Sequence, residues 1–220
     1  MQALKTIFFI LISTVLFSCQ SSINKAVNET KYSVYEFFGV EKRDLFKKKI
    51  KNTKDDQGAA AESFQSALDK LKAIYKFDGG NLEKQYRSLD GSYNTAKEKV
   101  ATVHASVVEV ETVAKDLFKE WEGEIKQMQS DDLKTRSRKT LAETQGKYQE
   151  FHVSLKKSEA KMDPVLAKLK DHVLFLKHNL NAKAIAGLKT ESGKIQGDIE
   201  SLMKDMNNSI SQADEFIKSM

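Results

Sequence analysis

Side chains able to do chemistry are few in this sequence, and their spacing is unfavourable. The four histidines, His104, His152, His172 and His178, are scattered, and no H-x-x-x-H or H-E-x-x-H pattern places two of them on one helix face. Cys19 is the single cysteine, which excludes an internal disulfide. No G-x-S-x-G element offers a nucleophile. The sequence therefore predicts no metal site, no cofactor, no small-molecule substrate and no enzymatic activity.

A phosphate-binding loop is approached once, in "GLKTESGKI" over residues 187–195. The pattern G-x-x-x-x-G-K-[ST] needs four residues between its glycines, and after its lysine a hydroxyl that binds magnesium. Here five residues separate Gly187 from Gly193, and Ile195 follows Lys194. ATP binding is therefore not expected.

The stretch "VLFLKHNLNAKAI", residues 173–185, mixes polar and apolar side chains. On a helix its apolar members point to every side, which predicts a helix that is buried all round. His172 and Asn179 then share one face, and His178 and Asn181 share another. Buried polar groups need partners, and they can fix the register of a bundle. We interpret these four as register-setting residues, with a partner or ligand site as the alternative.

Long helices are expected to position these residues, because the 220 residues include 10 glycines and one proline. A first helix is predicted from about Glu41 to Tyr75, and "FDGGN" at 77–81 predicts a turn. The second helix shows apolar residues at alternating steps of four and three over five heptads, which is the seam of a coiled coil. The seam is Leu82, Tyr86, Leu89, Tyr93, Ala96, Val100, Val103, Val107, Val110, Ala114 and Leu117.

The remaining chain predicts further helices. "QSDD" at 129–132 offers an N-cap and acidic first-turn residues to a third helix. Asp163 followed by Pro164 predicts that this helix stops and a new one starts there. The new apolar series runs to Ile217, with Ser192 in one seam position and a bend expected near 190–193. The fold class is all-α: an elongated antiparallel helical bundle, or coiled-coil hairpins, of three to five long helices.

The N-terminus predicts export. The apolar run 7–17 is shorter than the roughly 20 residues that cross a bilayer, and it has the length of a signal-peptide core. It ends in Leu16-Phe17-Ser18-Cys19, which resembles the bacterial lipobox. The resemblance implies lipidation of Cys19 and cleavage before it, and the alternative is an uncleaved hydrophobic anchor with an incidental cysteine. Gln20, standing where a retention signal has Asp, implies the outer membrane. The expected domains are a lipoprotein signal peptide (1–18), a tether (19–31) and a single helical-bundle domain (32–220).

Positive charge is concentrated in one segment. Residues 41–54 hold seven cations and two anions. Arg43, Lys47, Lys51 and Lys54 fall at helical spacing and predict one basic stripe close to the anchor. Such a stripe is either a solvated helix face or a contact with anionic headgroups or the cell wall. Nucleic acid is not expected as a partner, because a secreted lipoprotein does not meet it.

Three segments also carry a family resemblance: "FDGGNLEKQY", "LFKEWEGEI" and above all "PVLAKLKDHVLFLKHNLNAKAI". They look like a bacterial family called domain of unknown function 2959, over about residues 32–217. The resemblance implies long helices behind a signal peptide or lipobox, and it adds little on function because the family has no established activity. Some members are named as DNA-repair ATPases, which the absent phosphate loop does not support here.

Three functions follow as hypotheses. The first is a non-enzymatic lipoprotein of the bacterial cell envelope, held by acylated Cys19 at the periplasmic face of a membrane, with a helical rod that contacts a protein or cell-wall partner. The second is a soluble periplasmic chaperone-like or binding module. The third is an intracellular coiled-coil protein associated with nucleic acid.

Overall fold

The computed structural model describes residues 41–76 and 79–220, except for the side chains of 182–184 and 189–191. The described residues contain no strand and form four long helices: α1 (Lys42–Tyr75), α2 (Leu82–Gln127), α3 (Asp131–His178) and α4 (Ala182–Ser219). The predicted all-α class is confirmed. At about 1.5 Å per residue, the 46 residues of α2 extend roughly 70 Å.

The chain divides into two compact units, Met1–Leu45 and Phe46–Met220. In the first unit the structure describes residues 41–45, where α1 begins and the amides of Asp44 and Leu45 donate to the carbonyl of Glu41. The second unit contains the rest of α1 and the other three helices.

Contacts between the helices give the topology of the bundle. Consecutive helices are antiparallel, because residue numbers rise along one helix as they fall along its neighbour. The pairs that show this are Lys49–Glu109 and Ser66–Ser92 for α1 and α2, His152–Glu111 and Trp121–Ser137 for α2 and α3, and Lys157–Asp205 and Lys168–Asp198 for α3 and α4. Lys54–Asp214 and Lys72–Glu200 place α4 beside α1. The unit is therefore an up-down-up-down four-helix bundle.

The heptad seam predicted for α2 is buried over most of its length. From Leu89 to Leu117, every seam residue except Tyr93 is buried, and Val113 and Phe118 join them. The period of 3.5 residues keeps this stripe facing the other helices along the whole of α2. The local pattern therefore predicted both the helix and its buried face correctly.

Aromatic rings pack together in the core around Phe46, the first residue of the second unit. Phe46 meets Phe118 and Phe216 edge to face, with centroids 6.0 and 5.8 Å apart, and Tyr148 packs against all three rings. Phe151 stacks on Phe216 at 6.1 Å. Such pairs contribute about 0.5–1.5 kcal/mol each beyond the apolar area they bury.

Capping residues fix two of the turns as expected. Gly79 and Gly80 adopt φ of 148° and 106°, which side chains rarely allow. Asn81 then caps α2 by accepting from the amide of Lys84 at 2.9 Å. Ser130 caps α3 in the same way, accepting from Leu133.

The predicted helix restart at Asp163-Pro164 is wrong, because α3 runs through Pro164 without a break. A proline inside a helix removes one backbone hydrogen bond and crowds a carbonyl, at a cost of about 3 kcal/mol. Met162 before it, and Leu166 and Leu169 after it, are buried on the same face. Burial of each such side chain contributes about 1.5–3 kcal/mol, so keeping the helix in phase outweighs the defect.

The turn between α3 and α4 lies instead inside the stretch 173–185. Asn179 is the C-cap of α3, with φ −131° and ψ 50°, and α4 starts at Ala182. The expectation of a helix buried all round is also wrong, since Leu174 and Phe175 are 45% and 41% exposed. The α4 helix itself is continuous through 190–193.

Candidate functional site

Two buried hydrogen bonds cross the bundle between α1 and α3. The Gln57 amide Nε2 donates to the Ser158 hydroxyl at 2.6 Å, and both residues are at most 1% exposed. The Tyr75 hydroxyl and His172 Nδ1 are 2.8 Å apart, also in the core. An amide or imidazole left unpaired at such a site costs about 1–3 kcal/mol, so these pairs favour a single alignment of the two helices.

A chain of charged groups runs along the α2–α3 edge. His104 lies between two carboxylates of α3: its Nδ1 is 2.8 Å from Glu159 Oε1, and its Nε2 is 3.2 Å from Asp163 Oδ2. The first contact is a hydrogen bond, whereas Nε2 finds no hydrogen bond of good geometry and its approach to Asp163 is an ion-pair contact. The hydrogen bond to Glu159 is the main cause that raises the pKa of His104, with Asp163 adding to it and partial burial opposing it.

The same chain continues through a lysine to a second histidine. Lys156 Nζ is 2.5 Å from Glu159 and 3.6 Å from Glu111. Glu111 in turn lies 2.8 Å from His152 Nε2. The carboxylate of Glu159 is 10% exposed, and its contacts with one imidazole and one ammonium balance its charge.

This charged chain is suited to holding helices together, and less to catalysis. A general base needs a ring nitrogen free to face a substrate proton, whereas both nitrogens of His104 face carboxylates. Among the described residues, no group of three His, Cys, Asp or Glu side chains is placed to hold a metal ion. The arrangement can act as a set of charge-assisted contacts that joins α2 to α3.

The residues of the predicted basic stripe all lie on α1, but they differ in exposure and pairing. Arg43, in the first unit, is exposed. In the second unit Lys51 is exposed and Lys47 is half-buried. Lys54 Nζ binds Asp214 at 2.9 Å, and this hydrogen bond raises the pKa of Lys54. Lys47 and Lys51 are therefore the better candidates for a surface contact, because the charge of Lys54 is balanced within the bundle.

The four polar residues in and beside the stretch 173–185 also differ in burial and in their hydrogen-bond partners. Only His172 is buried, in the hydrogen bond with Tyr75 described above. His178 is exposed at the end of α3. Asn179 Nδ2 donates to the Phe175 carbonyl at 2.9 Å, and the Asn181 carbonyl accepts the amide of Ile185 in the first turn of α4. The asparagines thus support the turn, and their register-setting or partner role stays a prediction.

The predicted lipidation site and the three predicted domain ranges depend on residues outside the described part. Cys19 and the segments 1–18 and 19–31 all precede residue 41. Among the residues that the structure describes, no helix combines the length and the apolar character needed to cross a bilayer.

Reasoning from the sequence missed Gln57 and Ser158, although a signal for both was present. Each occupies a seam position: Gln57 lies seven residues from Ile50 and from Phe64, and Ser158 lies three residues from Leu155, all of them buried. A polar residue in a heptad seam indicates a partner across the bundle. The identity of that partner could not be read from the sequence, because it lies 101 positions away.

Fold and site together define a class: an all-helical bundle with buried polar pairs across its core and an ion-pair chain along one edge. The chain belongs to the family described as "Protein of unknown function (DUF2959)", whose model matches residues 31–220. The resemblance seen in the sequence is thereby confirmed. Among the curated proteins, none matches this chain.

Proposed function

We propose that this protein is a non-enzymatic lipoprotein of the bacterial cell envelope whose helical bundle acts as a structural or interaction module. The observation that carries the proposal is the apolar leader ending in Leu16-Phe17-Ser18-Cys19, with Cys19 as the only cysteine. A thiol can carry a diacylglycerol thioether, and several acyl chains give stable anchoring at roughly 0.8 kcal/mol per buried CH₂. The bundle would then stand at the periplasmic face of a membrane, with the outer membrane favoured by Gln20.

Labelling of cells with a palmitate analogue tests the anchor. Wild-type protein should take up the label and sediment with membranes, while Cys19→Ala should lose both properties, because no other thiol can take its place. Ser22→Ala, three residues further on, is the matched control and should label as wild type does. Unlabelled wild-type protein with an intact Met1 would overturn the proposal and favour an intracellular role.

Lys47 and Lys51 support a contact between the bundle and anionic lipid. Each cation near a charged surface contributes about 1 kcal/mol, and salt screens the attraction within about 10 Å at 0.1 M. The double variant Lys47→Glu/Lys51→Glu should weaken binding to vesicles with anionic lipid, and the loss should shrink at high salt. Lys97→Glu/Lys99→Glu, at exposed positions of α2, makes the same charge change elsewhere. Equal binding by both double variants would remove the lipid contact.

Leu174 and Phe175 support a protein contact at the end of the bundle that is opposite to Phe46. They lie near the end of α3, beside the turn at 179–181, whereas α1 enters the unit near Phe46. Tyr75 meets His172 at this far end, so α1 separates the two ends by about 29 residues, or roughly 44 Å. Within the second unit, these two exposed apolar side chains therefore lie at the end away from Phe46.

Crosslinking in intact cells tests this contact. Leu174→Ser/Phe175→Ser should lose crosslinked species that the wild type forms, because the apolar area buried against a partner is removed. Val108→Ser/Val153→Ser makes the same change at two other exposed apolar residues and should retain those species. An unchanged crosslinking pattern in the first variant would assign the contact to another surface.

A further inference from the structure

An open cavity of about 350 Å³ lies between α1 and α4. Leu68, Leu71 and Tyr75 of α1 form its apolar floor, and all three are buried. Lys72 and Lys76 provide two ammonium groups beside that floor. The volume falls in the lower part of the range of about 300–1,000 Å³ that is typical of small-molecule sites.

The cavity has a cause in the sequence of α4. Leu188, Ser192, Ile195 and Ile199 follow one another at steps of four, three and four, so Ser192 occupies a seam position among large apolar residues. The other three are buried, whereas Ser192 is half-buried and lines the cavity. A serine is too short to fill the space that a leucine would occupy there, and interiors packed at normal density leave few such voids.

Charge and polarity at the rim indicate the ligand class. Lys72 Nζ pairs with Glu200 Oε1 at 3.5 Å, a long and half-exposed contact that contributes little. Gln196 lines the cavity and its amide donates to the same Glu200 carboxylate at 2.8 Å. The contacts of Glu200 thus show that Lys72 and Gln196, both at the rim of the cavity, can be reached by a carboxylate.

We propose that this cavity between α1 and α4 binds a single-chain amphipathic carboxylate, with its alkyl part on Leu68, Leu71 and Tyr75 and its carboxylate at Lys72 and Lys76. The alkyl chain would replace the missing side chain at the Ser192 position and remove apolar surface from water. The carboxylate would add charge-assisted contacts at the rim. This site does not depend on the acylation of Cys19, so it stands or falls separately from the proposed anchor.

A photoreactive diazirine analogue of decanoate, applied to the full chain in phosphatidylcholine vesicles, tests the site. Peptide mass spectrometry should find adducts within 68–76 and 192–196, and decanoate should compete for them about tenfold better than decanol does. Adducts confined to other peptides would overturn the proposal. Equal competition by decanol would overturn the assigned carboxylate.

Three variants sharpen the test. Ser192→Leu should fill the cavity and reduce labelling about tenfold, while Ser211→Leu, the same change at an exposed position of α4, should leave it unchanged. Lys76→Ala, at an exposed position after the end of α1, should reduce labelling roughly fivefold. This variant tests the site independently of whether Ser192→Leu folds. Glu200→Gln should increase labelling by removing the competing carboxylate. Wild-type labelling in both folded Ser192→Leu and Lys76→Ala would refute the site.

Discussion

Removal of the Ser158 hydroxyl should destabilise the bundle through its partner on α1. The Ser158 Oγ accepts the Gln57 amide at 2.6 Å and donates to the Leu155 carbonyl at 2.8 Å. Ser158→Ala leaves Gln57 Nε2 without its acceptor in a fully buried place, which costs about 1–3 kcal/mol. For a protein of this size, a loss of about 2 kcal/mol lowers Tm by roughly 4–8 °C.

Substitution of the partner residue, Gln57, isolates the contribution of the pair. Gln57→Leu removes the buried amide and keeps a similar volume, while Ser158 still donates to Leu155. We therefore expect Gln57→Leu to change stability little, and Gln57→Leu/Ser158→Ala to be less destabilised than Ser158→Ala alone. The resulting coupling free energy should be about 1–2 kcal/mol.

Ser63 offers a matched control for this cycle. Its hydroxyl donates to the Ala60 carbonyl at 2.7 Å, as Ser158 does to Leu155, and the structure shows no side-chain hydrogen bond from Ser63 to another described helix. Guanidinium unfolding followed by circular dichroism should give a much smaller loss for Ser63→Ala, with unchanged m values. Equal losses for Ser63→Ala and Ser158→Ala, or strict additivity in the double variant, would refute the buried pair as a determinant of α1–α3 alignment.

Three further predictions concern stability. His104 has a raised pKa in the folded state, so its stabilising contribution is fully present below the unfolded value of about 6.5 and disappears as pH rises through the folded value. Because the side chain is over one-third exposed, His104→Gln should cost only about 0.5 kcal/mol at pH 5.5 and less at pH 8.5 in denaturant unfolding, and an equal cost at the two pH values would contradict this role of His104. Phe46→Ala should cost about 3–5 kcal/mol in denaturant unfolding, since this ring is fully buried and packs against three others, and a loss below 1 kcal/mol would contradict the packing described. Pro164→Ala should raise stability by about 2 kcal/mol by restoring a helical hydrogen bond, and an unchanged or lowered Tm would show that the proline fits without cost.

Local sequence determined the first half of the fold. The seam of α2 repeats every 3.5 residues, and it starts at Leu82, where the helix itself begins. Gly79, Gly80 and Asn81 marked the first turn, because positive φ and N-capping are properties of single residues. The second turn was marked in the same way by Ser130 and the acidic residues that follow it.

Tertiary structure decided where the third turn lies and which polar groups meet. Pro164 is a strong local signal for a helix end. However, α3 has to continue to His178 so that it packs along α2 towards the first residues of that helix, and so that His172 reaches Tyr75. Burial along the whole seam outweighs one missing backbone hydrogen bond, and no local pattern records that balance. Likewise, the seam positions of Gln57 and Ser158 are visible in the sequence, but their hydrogen bond exists only because α1 and α3 are aligned by the other helices.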